Sequence, residues 1–151
     1  MPVTTIAEIR ERVGTEVGVS SWLTIDQERI DAFANTTEDR QFIHVDSAAA
    51  ARTPFGGTVA HGFLSLSMLS RMGAEAMLFP ESMTMAVNYG LDRVRFISPV
   101  PAGKRIRGRF VLDSLEDKAP GQLLVRHNVT VEIEGVDKPA LTAQWLGLLF
   151  V

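Results

Sequence analysis

Two segments in the second half of the chain alternate between apolar and polar residues, and this pattern constrains the fold most strongly. In "KRIRGRFVLD", residues 104–113, arginines alternate with apolar or glycine positions, which are Ile106, Gly108, Phe110 and Leu112. In "LLVRHNVTVEIEG", residues 123–135, polar residues alternate with Val125, His127, Val129, Val131 and Ile133. Because side chains of a strand point alternately to its two faces, both segments are predicted to be strands with one buried face.

Two further strands and one buried helix complete this part of the pattern. "MTMAVNYGLDRVRF", residues 83–96, and "PALTAQWLGLLFV", residues 139–151, are apolar strand candidates separated from their neighbours by short turns. Such connections favour an antiparallel sheet. "FLSLSMLSRMGAEAML", residues 63–78, is apolar nearly all round, which is typical of a buried helix. The prediction is an α+β fold in which a long central helix covers an antiparallel sheet.

The first half of the chain indicates helices. Ile6, Ile9 and Val13 are spaced for a helix in residues 4–14. A second helix is predicted in residues 24–37, where Thr24 and Gln27 fit a capping box. Asp46 is expected to cap a short helix in "SAAAA", residues 47–51.

The composition narrows the function classes. A chain of 151 residues fits one domain, residues 1–151, and the net charge of −3 with no long basic run argues against nucleic acid as a partner. The absence of cysteine excludes disulfides and thiolate chemistry. No signal-like segment or membrane span is apparent, so we expect a cytoplasmic protein that does not bind membranes. The unpaired edges of the sheet favour a homodimer.

The segment "EDRQFIHVD", residues 38–46, contains two candidate catalytic residues. Asp39 and His44 lie five residues apart in a loop region, and a bent loop can bring both side chains to one water molecule. A carboxylate and an imidazole sharing a water can divide the proton transfers needed to add it across a double bond. The alternative is that Asp39 only forms a turn or a helix cap and that His44 is a nearby surface histidine.

The segment "PFGGTVAHGF", residues 54–63, leads a glycine-rich loop into the buried helix. Backbone N–H groups in the first turn of a helix have no internal partner and carry partial positive charge. Gly62 lacks a Cβ, so a substrate oxygen could approach its N–H as in an oxyanion hole. Alternatively, Gly56, Gly57 and Gly62 only serve tight turns.

Together these two segments resemble the MaoC-like family of R-specific enoyl-CoA hydratases and dehydratases. The motif is an aromatic residue, a polar stretch, Asp-x-Asn-Pro-aliphatic-His and a small residue six positions on. Here it is carried by Phe33, Asp39, His44 and Ala50, and is followed by "GGTVAHGF" and "VRFISPVPAGKRIRG". The family's Asn-Pro is replaced by "QF" at residues 41–42, and Gln41 can still hydrogen-bond.

The resemblance implies a hot-dog fold and an enoyl-CoA hydratase that uses neither a metal nor a redox cofactor. Asp39 and His44 would hold the water that adds to C3 of a trans-2-enoyl-CoA, and the Gly62 N–H would bind the thioester oxygen. The candidate substrate-binding residues are Gln41, His61, Ser70 and Asn88. A hot-dog thioesterase and a non-catalytic acyl-thioester-binding subunit remain alternatives, because fold does not settle function.

Four other residues are less informative. His127 lies on an apolar strand face and is expected to be a core histidine. Three arginines lie on the opposite face of the neighbouring strand: Arg105, Arg107 and Arg109. They are expected to form a solvated face, or alternatively to attract the phosphates of coenzyme A.

Overall fold

The computed structural model describes residues 1–151 and contains one six-stranded antiparallel sheet. The strands of this sheet are β2 (Glu16–Val19), β3 (Leu23–Thr24), β5 (Met85–Phe96), β6 (Arg105–Ala119), β7 (Gln122–Ile133) and β8 (Val136–Phe150). Their order in the sheet is β2-β6-β7-β8-β5, with β3 also paired to β6. The four long strands overlap the four predicted from the sequence, although β6 continues beyond residue 113 to Ala119, and all of their pairings are antiparallel.

The central helix runs as two consecutive segments, α5 (Gly62–Ser67) and α6 (Leu69–Ala76), which adjoin at Met68. Its apolar positions pack into the main core against the buried face of the sheet. Leu64, Leu69 and Met72 are all less than 5% exposed. The predicted α+β class, with an antiparallel sheet around a central helix, is therefore confirmed. No helix in the chain is both long and apolar enough to cross a membrane.

The two faces of the sheet divide as the alternation predicts. On β6, the side chains of Ile106, Phe110 and Leu112 are at most 1% exposed. The arginines of the other face are held by glutamates: Arg105 pairs with Glu134, Arg107 with Glu132, and Arg109 with Glu16 and Glu132. These arginines are ion-paired and partly exposed, which agrees with the predicted solvated face.

The first half of the chain is less helical than predicted. It contains α1 (Ile6–Glu11), α2 (Gln27–Thr37), α3 (Phe42–Val45) and α4 (Ser47–Ala50), together with β2 and β3 of the main sheet. A separate parallel pair joins β1 (Val3–Thr4) to β4 (Phe79–Pro80). These strands have two to four residues, too few to give a recognisable alternation.

The predicted capping box at Thr24 is wrong, whereas the cap at Asp46 is confirmed. Thr24 belongs to β3, where it pairs with Arg105. The side chain of Asp26 caps α2 instead by accepting a hydrogen bond from the Arg29 N–H at 2.9 Å. Asp46 accepts one from the Ala49 N–H at 2.9 Å and so begins α4.

Candidate active site

Asp39 and His44 are placed by the short connection between α2 and α4. α2 ends at Thr37, and the capping residue that follows, Glu38, adopts the left-handed backbone conformation with φ of 63°. That conformation is uncommon outside glycine and turns the chain sharply at the helix end. Asp39 follows directly, and α3 is a single turn that carries His44.

The position and tautomer of His44 are set by one hydrogen bond. The ring is 7% exposed, and its Nδ1 lies 2.6 Å from the main-chain carbonyl oxygen of Val59. Because a carbonyl oxygen only accepts, Nδ1 must carry the hydrogen. In the neutral ring Nε2 is then left with a lone pair. The Val59 N–H in turn donates to the carbonyl oxygen of Ile43 at 3.0 Å, so the two segments hold each other.

The carboxylate of Asp39 lies beside the two histidines at the candidate site. One side-chain oxygen of Asp39, one ring nitrogen of His44 and one of His61 all lie within 4.8 Å of one another. Asp39 is exposed, and its Oδ1 accepts only a long contact, 3.4 Å, from the Gln41 N–H. The structure therefore brings together the two residues of the predicted pair, and Gln41 supports the turn rather than the cavity wall.

A cavity of about 250 Å³ lies next to His44 and the start of α5. Gly62 is the first residue of α5, so helix geometry gives its N–H no internal partner. An added Cβ at Gly62 would lie 2.9 Å from the ring of Phe96, so a larger residue would require the ring or the helix start to shift. Residues that line the cavity include Ile43, His44, Gly62, Ser65, Phe96 and Val100.

A polar network that the sequence analysis did not identify holds α2, α3 and the glycine-rich loop together. The side-chain amide of Gln27 donates to the carbonyl oxygen of His44 at 2.8 Å and to Asp31 at 2.7 Å. Its oxygen accepts from the Thr58 hydroxyl at 2.6 Å. No sequence pattern links residues 27, 44 and 58, because their contact arises only when the chain folds.

The other predicted substrate-binding residues lie away from this cavity. Ser70 and Asn88 line a groove of about 290 Å³ with Tyr89 and Trp145, between α6 and β5. They also line a cavity of about 280 Å³ that extends to His127. In the cavity beside His44, the polar side chain from the central helix is Ser65, which is 3% exposed. His61 is 2% exposed and does not line that cavity.

The cluster of Asp39, His44 and His61 could be considered as a metal site, since each residue offers a ligand atom. The two imidazole rings, however, are stacked with centroids 3.8 Å apart and planes inclined by 25°. The nitrogen lone pairs lie in the ring planes, so rings stacked in this way do not direct them to one ion about 2.1 Å from each nitrogen. The geometry fits a stacked pair rather than a pair of metal ligands.

His127 is a core histidine, as predicted. It is 2% exposed, and the ring of Phe110 packs edge-on against it with centroids 6.4 Å apart. Burial lowers the pKa of His127 to about 4, although the charge of Asp113 acts in the opposite direction. His127 is thus neutral in the folded protein at neutral pH.

An antiparallel sheet wrapped around a central helix is the hot-dog fold. The chain belongs to the MaoC-like dehydratase family, since the family model described as "MaoC like domain" matches residues 8–134. The family and the structures similar to this one indicate an enzyme of the hydratase or dehydratase type.

Three similar proteins illustrate the relationship. Nodulation protein N of Rhizobium leguminosarum bv. viciae is 51% identical over 145 residues, which are 95% of this chain and 90% of that protein. The 3-hydroxyacyl-thioester dehydratase Z of Mycobacterium tuberculosis is 43% identical over 139 residues, 92% of this chain and 91% of that protein. The structure of R-hydratase PhaJ1 from Pseudomonas aeruginosa is similar with a TM-score of 0.70 and 25% identity, covering 91% of this chain and 81% of PhaJ1.

Proposed function

We propose that this chain is a single-domain, cytoplasmic R-specific enoyl-CoA hydratase. It adds water across a trans-2-enoyl-CoA to give the R-3-hydroxyacyl-CoA, or catalyses the reverse dehydration. The observation that carries the proposal is that a carboxylate oxygen of Asp39 lies within 4.8 Å of a ring nitrogen of His44. His44 and Gly62 line one cavity, and Asp39 lies at the surface next to His44 rather than in the cavity lining. The identity to a 3-hydroxyacyl-thioester dehydratase supports the same reaction class.

The two side chains share the proton transfers of the reaction. Nε2 of His44 accepts a hydrogen bond from the water, because Nδ1 is committed to the carbonyl oxygen of Val59. The Asp39 carboxylate accepts the second hydrogen bond from the same water. As the water oxygen bonds to C3, the pair takes one proton from it and then returns one proton to C2. The pair ends in its starting state, and one water has been added.

Gly62 stabilises the charge that develops during the addition. When oxygen attacks C3, the π electrons of the C2–C3 bond shift towards the thioester carbonyl and form an enolate. The Gly62 N–H at the start of α5 donates to that oxygen, helped by the positive end of the helix dipole. Protonation at C2 then restores the carbonyl group.

The active form is a homodimer in which β5 of one copy lies against β5 of the other. β5 is an edge strand, so one row of its backbone N–H and C=O groups has no partner within the chain. β5 also exposes apolar side chains at four alternate positions, each at least 40% exposed: Met85, Val87, Tyr89 and Leu91. A second copy of β5 satisfies the backbone and covers these side chains together.

The test is incubation of the purified protein with crotonyl-CoA. Hydration removes the absorbance of the conjugated enoyl thioester without releasing free thiol, and chiral chromatography of the product identifies the R isomer. Release of free thiol indicates a thioesterase and contradicts the proposal. A thermal shift with acyl-CoA but no turnover indicates a non-catalytic binding subunit and contradicts it equally.

A further inference from the structure

His61 is in contact with the proposed catalytic pair and does not line the cavity beside His44. Its ring is packed between the ring of Phe33, with centroids 5.0 Å apart, and the ring of His44, with centroids 3.8 Å apart. With 2% of its surface exposed, His61 has no direct access to a bound substrate. The predicted substrate-binding role of His61 therefore has no support in its position.

The side-chain hydrogen bond of His61 indicates a different role. Its Nε2 lies 2.9 Å from the main-chain carbonyl oxygen of Asp39. Since that oxygen only accepts, Nε2 carries the hydrogen and donates it. The other ring nitrogen, Nδ1, is buried without any hydrogen-bond partner.

We infer that His61 is a positioning residue that fixes the Asp39 carboxylate and the His44 ring relative to each other. Its N–H holds the carbonyl oxygen of Asp39, which directly follows the strained left-handed residue Glu38. Its ring face holds His44 in the orientation that the Val59 carbonyl oxygen also favours. This inference rests on the proposed function, because it assigns the role of one residue in that reaction.

The two contacts of His61 can be separated by substitution. In His61→Gln the side-chain amide nitrogen reaches the position of Nε2 and can still donate to the Asp39 carbonyl oxygen. In His61→Asn the amide nitrogen reaches only the position of Nδ1, so the hydrogen bond to Asp39 is lost. Asparagine carries the same amide group as glutamine, so the two variants differ only in reach. His61→Phe keeps a ring against His44 but has no donor.

Steady-state kinetics with crotonyl-CoA provide the first test. We expect His61→Asn to lower kcat by about 100-fold, the loss typical of a misplacement of about 1 Å, with KM within about threefold of wild type. His61→Gln should recover kcat to within about tenfold of wild type. Equal activity of the Asn and Gln variants, or a raised KM with unchanged kcat, would overturn the inference. Should circular dichroism show that the Asn variant is unfolded, His61→Phe replaces it with the same expected loss.

Imidazole NMR provides a second test that does not depend on turnover. Long-range ¹H–¹⁵N correlation spectra of the wild-type protein should show His61 with the hydrogen on Nε2 and His44 with the hydrogen on Nδ1. A hydrogen on Nδ1 alone at His61 would place two acceptors against each other at the Asp39 carbonyl and overturn the inference. If the wild type hydrates no enoyl thioester, the proposed function fails, whereas these tautomers still decide whether His61 holds the Asp39 loop.

Discussion

The imidazole Nδ1 of His44 donates to the main-chain carbonyl oxygen of Val59 at 2.6 Å, and this hydrogen bond joins two sequence segments that carry separate motifs. Val59 lies three residues before Gly62, so the bond sets the His44 ring relative to the start of α5. The Ala60 N–H donates to the Val100 carbonyl oxygen at 2.8 Å and holds the same segment from the other side. His44 of the proposed pair and the proposed oxyanion donor are thus linked through one hydrogen-bonded segment.

Replacing Asp39 with asparagine removes the proposed proton acceptor but keeps the size of the side chain. We expect kcat for crotonyl-CoA hydration to fall between about 10² and 10⁴-fold, the range typical of general acid–base groups. The melting temperature should stay close to that of the wild type, because Asp39 is exposed and makes only one long contact.

Asp46→Asn is the matched control for this prediction. It makes the same chemical change seven residues further on, at a helix cap where asparagine serves as well as aspartate. The Asp46 variant should retain wild-type activity. Turnover of the Asp39 variant at the wild-type rate would contradict the proposed role of Asp39.

Gly62→Ala tests the proposed oxyanion donor. The added Cβ would lie 2.9 Å from the Phe96 ring, so the first turn of α5 or the ring must shift. Loss of one oxyanion donor lowers the rate by about 10² to 10³-fold, and we expect a decrease of that size in kcat. Gly57→Ala is the control, because a Cβ there meets no atom within 4 Å. Equal activity of both variants would remove Gly62 from the mechanism.

A charge introduced on β5 tests the proposed dimer. Leu91→Lys places an ammonium group on the exposed apolar edge, and we expect it to convert a dimer of about twice 16.6 kDa into a monomer. Light scattering after size-exclusion chromatography measures the mass. Val13→Lys is the matched control, since Val13 and Leu91 are each 41% exposed but Val13 lies outside the sheet. A wild-type protein that is already monomeric at micromolar concentration would contradict the proposal.

The buried His127 predicts a specific loss of stability in acid. Its pKa is about 4 in the folded protein and close to 6.5 in the unfolded chain, because burial disfavours the charged ring. Between these values only the unfolded state binds the proton, so the contribution is complete above pH 6.5 and is lost as the pH falls towards 4. The full loss is about 3 kcal/mol, at about 1.4 kcal/mol per pH unit.

Urea unfolding at pH 7.5 and pH 5 measures this effect. The free energy of unfolding of the wild type should fall by about 2 kcal/mol more than that of His127→Leu, in which no proton can bind at this position. Identical pH dependence of the two proteins would show that the ring of His127 is already hydrated or charged in the folded state.

The sequence determined those features that depend on periodicity. Ile106, Phe110 and Val129 lie on the buried face of the sheet as predicted, because alternation along a strand assigns each side chain to one face before any partner is known. Asp39 and His44 are singled out by a different signal, a carboxylate and an imidazole five residues apart in a polar segment that resembles a family motif. The long strands and the central helix follow from patterns that extend over ten residues or more.

Only the tertiary structure determined the short strands and the contacts between residues that are far apart in sequence. β2 has four residues, and a Cβ on its Gly18 would overlap the carbonyl oxygen of Ala76 in α6, a contact between residues far apart in sequence. The stacking of His61 on His44 and the link from Gln27 to Thr58 arise in the same way. A sequence pattern shows which face of a helix or strand is buried. It does not show which atoms of distant residues come within hydrogen-bonding or van der Waals distance, because that depends on the folded chain.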